Sequence, residues 1–159
     1  MPLPFPRPGP LVGPRHLRKN MHVLHRVRVF VYHLNQGTPS YLLLHSAQGI
    51  EGLWRPVNGN IDYSEQFETA VRREVLEDTG LTSRSAILDL ELPLRQIFGD
   101  QEVVHWNYGF RVDSIPSELH LDRRFDCHRW ALYGDAFPDF GLEGDRTGVT
   151  RLHTKLGAA

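Results

Sequence analysis

The segment 59–81, GNIDYSEQFETAVRREVLEDTGL, constrains the fold of this chain more than any other stretch. It predicts a helix over about residues 64–79, because Ser64 can cap the first turn and Gly80 can end the last one. With about 100° between successive residues, acids spaced as they are here fall within one arc of the helix surface. An apolar stripe lies beside that arc and partly overlaps it, so the acids should lie at the edge of a core. The acids are Glu74, Glu77 and Asp78, and the stripe consists of Phe67, Val71 and Val75.

Acids at the edge of a core are costly unless a cation compensates for their charge. Glu74 and Asp78 stand at i and i+4, a like-charge spacing that weakens a helix by about 0.2–0.5 kcal/mol. Partial burial adds a larger desolvation cost. Arg72 and Arg73 offset part of this cost, but a divalent metal bound by several carboxylate oxygens offsets it better, and such ligands suit Mg²⁺ or Mn²⁺. A solvated acidic helix face is the alternative interpretation of the acids alone.

The complete pattern resembles the box of the Nudix hydrolase family. That box runs Gly, five residues, Glu, seven residues, Arg-Glu-aliphatic, one residue, Glu-Glu, one residue, Gly-aliphatic. Asp78 stands where the family usually has the last glutamate, so its charge is kept, and the flanking strand pattern extends the likeness over about residues 22–156. The residues that match in register are Gly59, Glu65, Arg73, Glu74, Val75, Glu77, Gly80 and Leu81.

The resemblance implies an α/β fold, a Nudix-type α/β/α sandwich with a mixed sheet and the catalytic helix at about 64–79. It also implies an enzyme that uses Mg²⁺, with Mn²⁺ as the alternative, to hydrolyse a diphosphate linkage in a small polyphosphate. Glu74 would be the candidate base, Arg73 would orient the carboxylates, and Glu65 would hold Arg73. The alternative for this last pair is a surface ion pair worth at most about 1 kcal/mol. The implied metal ligands are Glu74, Glu77, Asp78 and the backbone carbonyl of Gly59.

The chain departs from its relatives on a loop beyond the box, where many members carry a further acid. Related enzymes place Glu-His six and five residues before a tryptophan equivalent to Trp130, and this chain has Arg124 and Phe125 there. The sequence leaves open which acid replaces the missing one. The candidates are Asp122, Asp126 and Glu102.

The segment 54–60, WRPVNGN, together with Arg129, Trp130 and a closing helix, resembles the branch of dihydroneopterin triphosphate and nucleoside triphosphate pyrophosphohydrolases. A substrate of that type is therefore favoured. The alternatives are a dinucleoside polyphosphate, ADP-ribose, nucleotide-capped RNA, and a Nudix module that senses a nucleotide without cleaving it. The intact run REVLED argues against the sensing module. Candidate substrate-binding residues are Trp54, Arg55 and Asp126, and Trp54, Phe98, Trp106 and Tyr108 could stack on a planar ring or belong to the core.

Charge and composition limit the remaining possibilities. The chain has 159 residues and a net charge of −1, which argues against a general nucleic-acid partner. The first 50 residues contain six basic and no acidic side chains, so they could steer a polyanion or form a basic tail without a role. We expect residues 1–20, which carry six prolines, to be a disordered basic extension, and residues 21–159 to form the single hydrolase domain.

Cys127 is the only cysteine, so no disulfide can form within the chain and a cytoplasmic location is expected. No apolar run approaches the ~18 residues of a membrane helix. The sequence does not indicate an oligomeric state. Alternating and apolar runs predict strands at 22–34, 40–45, 54–57, 86–94, 103–112 and 129–133, and a last helix over 144–156.

Overall fold

The structure is a computed structural model that describes residues 22–46 and 53–157. The extension expected at residues 1–20 lies outside them. A seven-stranded mixed sheet separates one helix from two others. The strands are β1 (His22–Asn35), β2 (Thr38–Ser46), β3 (Trp54–Arg55), β4 (Val57–Asn60), β5 (Leu88–Phe98), β6 (Gln101–Arg111) and β7 (Phe125–Leu132). The helices are α1 (Phe67–Thr79), α2 (Tyr133–Asp139) and α3 (Glu143–Lys155).

The sheet runs in the order β3-β2-β1-β6-β5, with β4 beside β1 and β7 beside β2. Strands β1 and β6 are parallel, and the other pairs are antiparallel. The segment predicted as one strand over 54–57 is divided at Pro56, so that β3 pairs with β2 while β4 pairs with β1. This division places Gly59 beside the middle of β1, where it faces helix α1.

Strand β1 supplies both hydrophobic cores, because successive side chains of a strand point to opposite faces of the sheet. Val27, Val29 and Val31 pack toward α1, and the aromatic residues Phe30 and Tyr32 pack toward α2 and α3. The two layers confirm the predicted α/β/α sandwich. The α1 core includes Val27, Val29, Ala70, Val71 and Val75, and the opposite core includes Phe30, Tyr32, Phe140, Val149 and Leu152.

Helix α1 begins at Phe67, so the prediction of a start at Ser64 was wrong. Ser64 has φ 64°, in the left-handed region, and Gln66 stands at the N-cap without a side-chain cap bond. A turn precedes the helix instead, in which Asp62 N donates to Glu65 Oε1 at 2.9 Å and Glu65 N donates to Asp62 O at 3.0 Å. This turn holds Glu65 ahead of the helix, within reach of its middle turns.

The far end of α1 is as predicted. Gly80 has φ 78° and its N–H donates to Leu76 O at 2.9 Å, a left-handed end that glycine adopts without steric cost. Helix α2 was not predicted, because it has seven residues and contains Pro138, too little for a periodic signal. Within residues 22–46 and 53–157, no helix is long and apolar enough to cross a membrane.

Candidate functional site

An open cleft of about 420 Å³ lies where β1, β4 and α1 meet the loop that precedes β7. Its walls are polar and carry charges of both signs. Acids come mainly from α1 and the adjoining loops, and basic side chains come from three separate parts of the chain. The lining residues are Arg26, Gly59, Asn60, Asp62, Arg73, Glu74, Glu77, Asp122 and Arg124.

Arg73 joins the turn before α1 to the acids on the helix. Its Nε and Nη2 donate to the two carboxylate oxygens of Glu65 at 2.8 and 2.9 Å, a two-point contact. Its Nη1 donates to Glu74 Oε2 at 2.6 Å and lies 3.4 Å from Glu77 Oε1, and its Nη2 also reaches Asn60 O at 2.9 Å. These hydrogen bonds hold the pKa of Glu65 below its usual value. The expected contact between Glu65 and Arg73 is therefore present, and its role in catalysis stays a prediction.

Glu74 is nearly buried, with 7% of its surface exposed, and its carboxylate lies against Gly59. A Cβ atom at Gly59 would sit 2.1 Å from the carboxyl carbon of Glu74, so only glycine permits this approach. Burial raises the pKa of Glu74, and the hydrogen bond from Arg73 opposes that rise. Glu77, by contrast, projects into the cleft and is more than half exposed.

Asp78 is completely buried and is paired with an arginine of the loop before β7. Its Oδ1 accepts a hydrogen bond from Arg124 Nη2. Its Oδ2 is also buried and has no hydrogen-bond partner in the part of the chain that is described. Desolvation raises the pKa of Asp78 to about 7, although the guanidinium of Arg124 acts in the opposite direction.

The carboxylates on α1 are of the chemical type that binds a divalent cation, although in the described residues the ligand atoms of Glu74, Glu77 and Asp78 do not all lie within 4.8 Å of one another. A buried carboxylate oxygen without a partner, at Asp78, is costly unless a positive charge reaches it. Glu74 is nearly buried on the preceding turn, and oxygen ligands of this kind suit Mg²⁺ or Mn²⁺. The donors therefore support the expected metal type, while Arg124 already neutralises part of Asp78.

Arg26 lines the opposite side of the cleft, and it forms a basic group with Arg28 and Arg55, which lie behind it. Successive side chains of a strand point to opposite faces of the sheet. Since Val27 points toward α1, its neighbours Arg26 and Arg28 on β1 point to the other face. Arg26 donates to the side-chain oxygens of Asn58 at 2.7 Å and Asn60 at 2.5 Å, both on β4. It forms no ion pair within the described ranges. Its hydrogen-bond partners are therefore neutral, and they position the guanidinium without neutralising its charge.

Arg28 and Arg55 share a single carboxylate. Asp145, fully buried on the first turn of α3, lies 2.8 Å from Arg28 Nε and accepts from Arg55 Nε at 2.6 Å. Burial lowers the pKa of Arg28 to about 10. Burial and then the charges of Arg28, Arg26 and Arg55 lower the pKa of the nearby His105 to about 4. The three arginines of the basic group carry more positive charge than the single carboxylate of Asp145 can neutralise.

Two of the candidate substrate-binding residues lie away from the cleft, on the β2–β7 part of the sheet. Asp126 Oδ1 accepts from His45 Nδ1 at 2.7 Å, and the potential ligand atoms of these two residues and Cys127 lie within 4.8 Å of one another. Trp54 packs against His45 at 5.0 Å between ring centroids and lies 5.1 Å from the guanidinium of Arg129. The third, Arg55, belongs to the basic group behind the cleft.

The candidate replacement acids and the candidate stacking residues also lie in different parts of the structure. Of the possible replacement acids, Asp122 lines the cleft, whereas Glu102 pairs with Arg95 at 3.3 Å on the β5–β6 hairpin. Tyr108 is buried in the α1 core, Trp106 packs against Phe67, and Phe98 is exposed near the hairpin turn. Sequence reasoning missed Arg26 and Arg124 as cleft residues. The replacement of an acid by Arg124 was the signal that could have identified one of them.

Comparisons with known proteins bear on the family and the fold. A family model described as the NUDIX domain matches residues 24–151. The NAD-capped RNA hydrolase NudC of Mannheimia succiniciproducens is 26% identical over 100 residues, which are 60% of this chain and only 34% of that protein.

Solved structures share the fold at low sequence identity. A Caenorhabditis elegans Ap4A hydrolase binary complex has a TM-score of 0.65 at 18% identity, covering 84% of this chain and 98% of that one. The dihydroneopterin triphosphate pyrophosphohydrolase of Escherichia coli has a TM-score of 0.68 at 14% identity, covering 79% and 91%. At such identities the likeness concerns the fold alone.

Proposed function

Because the chain belongs to the Nudix hydrolase family, whose enzymes act on phosphoanhydride bonds, we propose that it hydrolyses a nucleoside triphosphate or dihydroneopterin triphosphate with Mg²⁺. The observation that carries this proposal is one cleft with carboxylates on one wall and the guanidinium of Arg26 on the other. A polyphosphate bound with a divalent cation needs both kinds of wall. We further propose residues 21–159 as the hydrolase domain and, from the single cysteine, a cytoplasmic location.

The acidic wall is the proposed metal site. Glu74, Glu77 and Asp78, with the carbonyl of Gly59, would hold Mg²⁺. The ion would supply charge neutralisation for the diphosphate and would make the attacking water more acidic. The hydrogen bonds of Arg73 fix the carboxylate of Glu74, so the position of this ligand is set before substrate arrives.

Glu74 is the proposed general base. Its Oε2 accepts from Arg73, and we therefore assign Oε1 as the atom that takes the proton from the attacking water. Burial raises the pKa of this carboxyl, which increases its proton affinity toward that of a useful base. Glu65 acts through Arg73 and is a positioning residue in this scheme.

The basic wall is the proposed phosphate site. Arg26 reaches the cleft, and its two asparagine partners carry no charge, so the guanidinium keeps its attraction for an anion. Arg28 and Arg55 lie behind it with Asp145 as their shared acid, and they add a positive field at the same wall. We propose that Arg26 binds a phosphate that lies beyond the one facing the metal.

The second candidate is a substrate in which a diphosphate or longer phosphate chain links a nucleoside to a second group, such as a dinucleoside polyphosphate, ADP-ribose or a nucleotide cap. The likeness to a protein named NAD-capped RNA hydrolase favours it, although the match spans about a third of that protein. A non-catalytic sensing module is the third candidate, and the presence of Glu74, Glu77 and Asp78 together on α1 argues against it.

Product analysis separates these functions. Purified protein is incubated with Mg²⁺ and a panel of nucleoside triphosphates, dihydroneopterin triphosphate, ADP-ribose, NAD and dinucleoside polyphosphates. Release of pyrophosphate from a triphosphate supports the proposal. A nucleoside monophosphate released from a linked diphosphate supports the second candidate. Tight nucleotide binding without turnover on any compound favours the sensing module and contradicts the proposal.

A matched pair of variants tests the assignment of the acids. Glu77→Gln should lower the rate at least about 10²-fold, because a metal site contributes several kcal/mol to the transition state. Glu68→Gln removes the same charge from the exposed start of the same helix and should leave the rate within about twofold. Equal rates for the two variants would remove Glu77 from the site.

A further inference from the structure

Arg124 places a positive charge among the acids of the cleft, where a metal is also expected. Its Nη2 donates to Asp78 Oδ1, and its Nε donates to Asp122 Oδ1 at 3.0 Å. The guanidinium also lies 5.1 Å from the ring centroid of Phe125. The side chain therefore bridges the acid at the end of α1 and the acid on its own loop.

The loop that carries Arg124 is joined to α1 through main-chain atoms. His120 N donates to Thr79 O and Asp122 N donates to Asp78 O, each at 3.0 Å. These contacts do not involve the arginine side chain, which is about half exposed. The guanidinium can consequently leave Asp78 while the loop backbone stays in place.

Asp78 needs a cation more than any other acid of α1, because it is fully buried. Within residues 22–46 and 53–157, Arg124 is the one basic side chain that hydrogen-bonds to it, and it does so at Oδ1 alone. The second oxygen, Oδ2, is buried without a partner. The guanidinium of Arg124 thus supplies a hydrogen bond to only one of the two carboxylate oxygens.

We propose that Arg124 is a displaceable cation, which neutralises Asp78 in the metal-free protein and competes with the divalent metal for that carboxylate. The inference rests on the proposed metal-dependent function and adds a residue that sets the metal affinity of the site. When two cations compete for one group, the apparent affinity for the metal equals its intrinsic affinity multiplied by the fraction of molecules in which the arginine does not occupy the group. Arg124 would thereby adjust the metal concentration at which the enzyme is loaded.

Metal binding without substrate tests the competition directly. Mg²⁺ is titrated by calorimetry and Mn²⁺ by the loss of its free-ion paramagnetic resonance signal, in the wild type, Arg124→Ala and Arg123→Ala. Arg123 is the matched control, since it is exposed, lies on the same loop, and forms no hydrogen bond or ion pair in the described part of the chain. We expect Arg124→Ala to tighten metal binding about tenfold and Arg123→Ala to change it less than about threefold, because the charge of Arg123 is exposed and screened by solvent.

Thermal unfolding provides the second measurement. Without metal, Arg124→Ala should unfold at a lower temperature than Arg123→Ala, because Asp78 is left buried without a cation. Added Mg²⁺ should raise the unfolding temperature of Arg124→Ala more than that of the wild type. If Arg124→Ala does not fold, Arg124→Lys keeps the charge but lacks the separate donor nitrogens with which Arg124 contacts Asp78 and Asp122, and it should tighten metal binding to an intermediate degree.

Asp78→Asn completes the test. In this background, removal of Arg124 should no longer tighten metal binding beyond the effect of removing Arg123. Equal metal affinities for Arg124→Ala and Arg123→Ala, or weaker binding by Arg124→Ala, would overturn the inference. Both measurements are made without substrate, so an absence of hydrolysis would count against the proposed function and would leave this result interpretable.

Discussion

The carboxylate of Glu74 lies so close to Gly59 that a Cβ atom on the glycine would be 2.1 Å from its carboxyl carbon. The two residues come from different elements, β4 and α1, and their contact places the backbone of Gly59 against the carboxylate of Glu74 at the cleft. Any side chain at position 59 must displace Glu74.

We therefore expect Gly59→Ala to lower the hydrolysis rate at least about 10²-fold, since a displacement of about 1 Å at a reacting group can cost this much. Steady-state kinetics with the substrate found in the panel measures the effect. Gly134→Ala is the control, because a Cβ atom there meets nothing within 4 Å. If Gly59→Ala had normal activity, hydrolysis would not require the close approach of Glu74 to position 59.

Arg73→Lys should lower the rate about tenfold or more while the protein stays folded. Lysine keeps the charge, but it cannot contact both oxygens of Glu65 and also reach Glu74, so the carboxylate loses its fixed position. Arg72→Lys, in which the neighbouring arginine loses its bonds to Ser83 O and Ser85 O, is the matched control. Kinetics and circular dichroism on both variants would show whether the loss belongs to catalysis or to folding.

Arg26→Gln should raise the KM for a triphosphate about tenfold with a smaller change in kcat, because its proposed contact is with a phosphate away from the reacting bond. Asn60→Asp offers an independent check. It places a carboxylate against Arg26, at a position where the asparagine oxygen now accepts at 2.5 Å, and should raise KM in the same direction. An unchanged KM in both variants would remove Arg26 from the substrate site.

Stability should decrease as the pH falls from about 6.5 toward 4, in part because of His105. Its folded-state pKa of about 4 lies below the ordinary value of 6.5, so the unfolded chain takes up the proton first and acid favours unfolding. The contribution is complete above pH 6.5, is lost progressively down to about pH 4, and amounts to at most about 3 kcal/mol.

Urea unfolding at pH 7.5 and pH 4.5 measures this contribution. His105→Asn should show a smaller decrease in unfolding free energy between the two pH values than the wild type, since asparagine does not titrate. Equal decreases in the two proteins would show that His105 is not the group responsible.

Local patterns sufficed for helix α1 and for the grouping of its acids. The spacing of Glu74, Glu77 and Asp78 places them on one arc of any helix, whatever the helix packs against. The end at Gly80 also followed from a local requirement for a left-handed residue. The start at Ser64 was mispredicted, because Glu65 is engaged by Arg73, eight residues away, in a turn that precedes the helix.

The sequence by itself determined the family box and the grouping of the acids on α1, because both depend on spacing within one segment, and the resemblance carried by that box implied the layered α/β architecture. Only the tertiary structure decided which basic residues meet those acids. Arg26 reaches the cleft through the pairing of β1 with β4, and Arg124 reaches it through main-chain bonds between its loop and the end of α1. Such contacts join residues more than 30 positions apart, and they depend on strand register and backbone geometry that no local pattern encodes.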